Sequence, residues 1–97
     1  MKEISAKELK KRLDNKEQIQ IIDIREEYEF EDGALCDVNI PLGDFLEQLG
    51  TINADSDVVL YCQSGKRASA LAYTLKERFN RDNFLNLSGG YEAFTAL

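Results

Sequence analysis

The chain has 97 residues, 43% of them hydrophobic, which suits one compact domain over 1–97, burying roughly 60–70% of its unfolded surface. A formal charge of −6, with no basic stripe beyond the short Lys10-Lys11-Arg12 run, argues against a nucleic-acid or anionic-membrane surface, so neither partner is expected. With no histidine and two cysteines, Cys36 and Cys62, 26 positions apart, the usual zinc ligand sets are missing and no metal is expected.

In chain order, Ser5 with Glu8 three positions later reads as a capping box, and Ala6, Leu9 and Leu13 then share one helical face, predicting a first helix from Ala6 to Leu13. Ile19-Gln20-Ile21-Ile22-Asp23-Ile24 is nearly continuous in apolar, β-branched content, as in a strand covered on both faces. The acidic run Glu26, Glu27, Glu29, Glu31 and Asp32 reads as a solvated face. Val38-Asn39-Ile40 fits a short strand ended by Pro41, and Leu42, Phe45, Leu46 and Leu49 then fall at helical spacing up to Gly50. Val58 to Tyr61 reads as a strand. Ala68, Leu71, Ala72, Leu75 and Phe79 mark the buried stripe of the best-defined helix, Phe84 to Leu87 reads as a final strand, and Ser88 is placed to cap a last helix carrying Tyr91, Phe94 and Leu97. Alternation of this kind predicts an α/β fold, a mostly parallel sheet with helices on both faces and its ligand site beyond the carboxyl ends of the strands. Lys2-Glu3-Ile4 begins no apolar stretch of signal-peptide length and no run approaches a membrane span, so a cytoplasmic protein is expected, where a disulfide is unusual.

Cys62 falls at the carboxyl edge of that sheet, between the Val58 to Tyr61 strand and the following helix. A thiol there faces unpaired backbone N–H groups and the positive end of the helix, with Lys66 and Arg67 in the same turn, so a stabilised thiolate in an open-mouthed loop is expected. Gly65 permits the positive φ that lets successive N–H groups of Gln63, Ser64, Gly65, Lys66, Arg67 and Ala68 converge on an anion. Protein tyrosine phosphatases separate cysteine and arginine by five residues around a tetrahedral phosphate. Here only Gln63 to Lys66 intervene, a tighter ring that suits a smaller group such as a terminal sulfur on Cys62. The phosphate-binding loop of nucleotide enzymes needs a longer glycine-rich run and does not match.

Cys36 has no such context and reads as a buried small hydrophobe. Arg67 reads either as a substrate clamp or as the residue that pins the loop by pairing with an acidic neighbour. Lys66 either steers anions against the negative field or is simply solvated. Asp23 and Arg25, at a strand's carboxyl end, either support the site or form a structural ion pair. Gly89-Gly90 either makes a tight turn beneath the loop or starts the last helix.

These residues resemble the single-domain rhodaneses, a family of sulfurtransferases, over nearly the whole chain. The opening pattern of the family is similar to Ile22-Asp23-Ile24-Arg25 with Glu29-Phe30 and Gly33, followed by Asn39-Ile40-Pro41. Its active-site loop matches Cys62, Gly65 and Arg67, and its closing pattern resembles Leu87-Ser88-Gly89-Gly90-Tyr91-Glu92-Ala93-Phe94. Where many members carry a histidine, a proline and a second glycine, this chain has Ala34-Leu35-Cys36-Asp37-Val38, one residue shorter, and Phe94 stands where tryptophan is common. The resemblance implies a five-stranded, mostly parallel sheet flanked by helices and a Cys62 persulfide as intermediate. The implied reaction moves a sulfane sulfur from thiosulfate or a similar donor to a small thiol or protein acceptor by two half-reactions, with no metal or cofactor. Two alternatives share parts of this pattern: a cysteine-dependent phosphatase or arsenate reductase, and a non-catalytic protein-interaction module.

Overall fold

The structure is a computed structural model and describes residues 2–97. Four strands, β1 (Lys2–Ile4), β2 (Gln20–Asp23), β3 (Val58–Tyr61) and β4 (Phe84–Leu87), form one sheet in the order β1-β4-β3-β2, every neighbouring pair parallel. Five helices connect and cover them: α1 (Ala6–Asp14), α2 (Glu27–Asp32), α3 (Leu42–Gln48), α4 (Lys66–Phe79) and α5 (Gly90–Thr95). No helix among the described residues is long and apolar enough to cross a membrane.

Strand alternation divides the core into two layers. Ile22, Val58, Leu60 and Phe84 face α3 and α4, meeting Phe45, Ala68, Leu71 and Leu75. Their sequence neighbours Ile21, Val59, Tyr61, Leu85 and Leu87 face α1 and α5, meeting Ala6, Leu9 and Phe94. Both faces of β3 are therefore dry, and all four of its residues are buried, which explains its unbroken apolar run. The rings of Phe45 and Phe84 meet edge to face at 5.8 Å and 71°. Replacing Phe45 by alanine would cost about 3–5 kcal/mol.

The sheet has four strands where five are implied. Val38–Ile40 reaches β2 only through a single parallel bridge between Asp23 and Asn39, closed by Asp23 N–H to Val38 O at 3.0 Å and Ile40 N–H to Asp23 O at 2.9 Å. Pro41 next to it has no N–H for a ladder and serves as the N-cap of α3. Two elements have no periodicity in the sequence. β1 is three residues long with only Ile4 buried, and α2 buries none of its residues.

Five local expectations are corrected. The capping box at Ser5 is half made: Ser5 Oγ accepts the Glu8 N–H at 3.0 Å, but the Glu8 carboxylate turns to Arg12 at 3.2 Å. Ser88 does not cap α5. Gly89 takes that place at φ +76°, and the Ser88 hydroxyl donates to Glu3 at 3.2 Å. Leu97 lies beyond the end of α5, and Phe79, in the last turn of α4, is exposed. On α3 only Phe45 is buried, Leu42 and Leu46 facing solvent.

Candidate active site

β3 places Cys62 at the carboxyl end of the central strand, and the strand's alternation decides where its side chain goes. Val58 and Leu60 face α4, so Cys62 does too, and it lies within that layer of the core. The chain then turns through Gln63 and Ser64 to Gly65, whose φ of +100° starts α4. A side chain at position 65 would be strained at that φ and would approach Gly89 N within 3.1 Å. The turn brings the Gly65 N–H to 3.2 Å and the Ala68 N–H to 3.4 Å from Cys62 Sγ. Sulfur thus accepts two backbone donors at the positive end of a 14-residue helix. Lys66 and Arg67, the first two residues of α4, have N–H groups with no acceptor one turn back in the helix.

The expected open mouth is not what these residues make. Cys62 is 1% exposed, because the loop that supplies its donors also lies over it.

Helix α5 fixes the loop from below. Tyr91 N–H donates to Cys62 O at 2.9 Å and Glu92 N–H to Gln63 O at 3.0 Å, so the loop carbonyls are the acceptors for the first turn of α5. Gly90 makes this possible. At φ +61°, a Cβ there would lie 2.5 Å from Cys62 O and 2.7 Å from Gln63 O, both backbone atoms. Gly89-Gly90 therefore both lies beneath the loop and begins the helix.

Asp23 and Arg25 form a buried ion pair joined to the loop. Arg25 donates to Asp23 through Nε at 3.1 Å and through Nη2 at 2.8 Å, with 3% and 0% of the two side chains exposed. The same guanidinium donates to Gln63 Oε1 at 3.2 Å and to Gly33 O at 2.6 Å, and lies 4.3 Å over the Tyr91 ring. Tyr61 donates its hydroxyl to Asp23 at 2.8 Å and accepts the Leu35 N–H at 2.9 Å. Burial pushes the Tyr61 hydroxyl well above the usual tyrosine range, and its hydrogen bond to Asp23 adds to the shift. For Arg25, burial opposes the charge but the Asp23 carboxylate outweighs it, leaving the guanidinium more firmly protonated.

Arg67 meets Glu29 at 3.4 and 3.5 Å. Glu29 also accepts the Glu26 N–H at 3.1 Å, so it is not part of a solvated face but ties α2 to the loop. Burial would raise its carboxyl, yet the Glu26 backbone, Arg67 and the charge of Arg25 bring it below the usual range. Arg67 is held charged against its own partial burial by Glu29 first and by the Cys62 sulfur second. The pinning partner is thus present, while Lys66 and Ser64 lie exposed at the rim. Sequence reasoning brought Cys62 to Ala68 together with Asp23 and Arg25. It missed Tyr61, the Gly33 carbonyl and the ring of Tyr91, and the one signal for Glu29 was its place in the resemblance.

Cys36 stands at the edge of this network, beside the Tyr61 hydroxyl and within reach of the Asp23 charge. Its Sγ donates to Val38 O at 3.3 Å, and burial pushes the thiol above the ordinary cysteine range.

Residues 5–97 match the Rhodanese-like domain family. A sulfurtransferase of Allochromatium vinosum is 35% identical over 94 residues, covering 95% of this chain and 86% of that protein. YtwF of Bacillus subtilis is 33% identical over 95 residues, 97% of this chain and 90% of its own length. Among solved structures, a rhodanese-like domain protein of Staphylococcus aureus superposes with a TM-score of 0.87 at 27% identity, over 97% of this chain and 91% of that one. The cysteine loop between a central parallel strand and a long helix stands within a match of almost the full length, and the chain belongs to the rhodanese-like domain family.

Proposed function

We propose that this chain is a sulfurtransferase in which Cys62 is the nucleophile and carries the moving sulfur as a persulfide. The observation that carries the reading is the pair of N–H donors, from Gly65 and Ala68, on Cys62 Sγ. In the first half-reaction the Cys62 thiolate attacks the outer sulfur of thiosulfate. The bond between the two donor sulfurs breaks, sulfite leaves with the electron pair, and Cys62 holds a terminal sulfur bearing the negative charge. In the second, cyanide or an acceptor thiolate attacks that terminal sulfur, and Cys62 recovers its thiolate as the sulfur–sulfur bond breaks. No proton need move in either step, consistent with a chain that has no histidine. Donors fixed in place cost no reorganisation as charge shifts, and removing one from such a site typically costs about 3 kcal/mol of transition-state stabilisation.

Two features support sulfur transfer over phosphate-ester chemistry. Four residues separate Cys62 from Arg67, and the thiol lies under its loop, reachable by a projecting terminal sulfur more easily than by a phosphate carrying four oxygens. The test is a side-by-side assay of thiosulfate with cyanide and of an aryl phosphate. Thiocyanate release without phosphatase activity is the expected result. Appreciable ester hydrolysis would favour the phosphatase reading, and inertness toward both would favour an interaction module.

A further inference from the structure

The two arginines joined to the Cys62 loop are held very differently. Arg25 is buried and donates to Asp23 and to Gly33 O at distances from 2.6 to 3.1 Å. Arg67 stands second in α4, between the two residues whose N–H groups reach Cys62 Sγ. It meets Glu29 at 3.4 and 3.5 Å, beyond the span of about 2.7–2.9 Å usual for a charge-assisted bond. Glu29 is the fixed member of this pair. Its Oε1 also accepts the Glu26 N–H at 3.1 Å, which closes the capping box that starts α2. Arg67 is the more exposed of the two, 38% against 19%, and the Cys62 sulfur already acts on its charge. In-line attack on the outer sulfur of a donor leaves the donor's oxygens on the side away from Cys62, at the rim of the loop. An arginine loosely tied there is placed to exchange one carboxylate for another anion.

We propose that Glu29 is a positioning residue that selects sulfur donors by charge, holding Arg67 until the anionic end of a donor takes its place. The inference rests on Cys62 carrying the transferred sulfur. A fixed carboxylate beside the guanidinium cancels much of the positive charge that a donor meets, and it repels the donor more strongly as the donor's own charge rises. A monoanionic donor is therefore admitted at less cost than a dianionic one with the same outer sulfur. Methanethiosulfonate and thiosulfate form such a pair. Each gives its outer sulfur to the Cys62 thiolate, and methanesulfinate or sulfite leaves with the electron pair of the broken sulfur–sulfur bond. Glu31 supplies the contrast on the same helix, since it is exposed and makes no ion pair among the described residues.

The test is steady-state sulfur transfer to cyanide from thiosulfate and from methanethiosulfonate. The proteins compared are the wild-type chain, Glu29→Gln, Glu31→Gln, Arg67→Met, and Glu29→Gln combined with Arg67→Met. Glutamine at position 29 keeps an oxygen for the Glu26 N–H and removes the charge. Glu29→Gln is expected to lower the KM for thiosulfate by about two- to fivefold, the worth of a partly exposed ion pair. The fall should be smaller for methanethiosulfonate, and kcat should change less than KM. Glu31→Gln should leave the ratio of the two KM values as in the wild-type chain, and Glu29→Gln should lose most of its effect once Arg67 is methionine. Should Arg67→Met fail to fold, the comparison of Glu29→Gln with Glu31→Gln decides alone. An unchanged or raised thiosulfate KM in Glu29→Gln, an equal shift for both donors, the same shift in Glu31→Gln, or a full effect without Arg67 would each overturn the proposal, while wild-type turnover would leave sulfur transfer standing. A wild-type chain inert toward both donors would overturn the two together.

Discussion

The two cysteines stand in opposite hydrogen-bond relations to the backbone. Cys62 Sγ accepts N–H groups from Gly65 and Ala68, whereas Cys36 Sγ donates to the carbonyl of Val38. The first arrangement points backbone donors at the sulfur, whereas at Cys36 burial, aided by the charge of Asp23, pushes the thiol up against the hydrogen bonds around it. Burial itself does not separate them in the direction a reactivity argument would assume, since Cys62 is the more buried of the two. What distinguishes a candidate nucleophile here is the polarity of its partners.

Exchanging each cysteine for serine separates the two regions most widely. Cys62→Ser is expected to abolish thiocyanate formation from thiosulfate and cyanide, and Cys36→Ser to retain most of it. Equal loss in both variants would replace the single nucleophile by a two-cysteine relay.

The next largest effect is expected at Gly90, which packs against the Cys62 loop. Alanine there must hold a left-handed φ of +61° with its Cβ 2.5 Å from Cys62 O, at a cost of about 2 kcal/mol or more. Denaturant unfolding should show that loss together with slower sulfur transfer. A Gly90→Ala protein with wild-type stability and rate would mean that α5 does not hold the loop.

Arg25 tests whether the buried network supports the loop. Arg25→Met leaves the buried Asp23 carboxylate without its counter-charge and should destabilise the fold by about 3–5 kcal/mol. Asp23→Asn with Arg25→Met should recover part of that stability without restoring the bond to Gln63. A double variant that regains full activity would show the pair to be structural alone.

Glu29 sets the smallest effect. Its carboxyl lies below the usual range in the folded chain, so its contribution is fully present above the unfolded value of about 4.3 and is lost as pH falls through the folded one. Arg67 is 38% exposed in the pair, so Glu29→Gln should cost at most about 1 kcal/mol. Stability curves of the two proteins should converge in acid; a constant gap from neutral pH down to acid would contradict the assignment.

The sequence made the region around Cys62 legible because its signals are local: an apolar run, a cysteine, a glycine and a helical stripe in succession. β1 was not legible because Lys2 and Glu3 are exposed and only Ile4 is buried, leaving no pattern of period two. α2 was hidden because a helix that buries nothing has no apolar face, and its acidic residues look like any solvated run. The missing fifth strand follows from Val38 and Ile40 being apolar enough to suggest a strand that Pro41 then cuts to one bridge. The network of Asp23, Arg25, Tyr61 and Gln63 joins residues as far as 38 positions apart. No single-chain periodicity reports such a pairing, although the resemblance brought Asp23 and Arg25 forward. The reach of Glu29 to Arg67 across the same separation was lost for the same reason.

The central claim is that the Cys62 sulfur, held by two N–H donors, carries the transferred sulfur atom. Intact-mass measurement after exposure to thiosulfate, on the wild-type chain, Cys36→Ser and Cys62→Ser, tests it most directly. The account predicts a gain of one sulfur atom in the first two proteins, removed by cyanide, and none in Cys62→Ser. A cyanide-labile sulfur retained by Cys62→Ser, or absent from the wild-type chain, would contradict it.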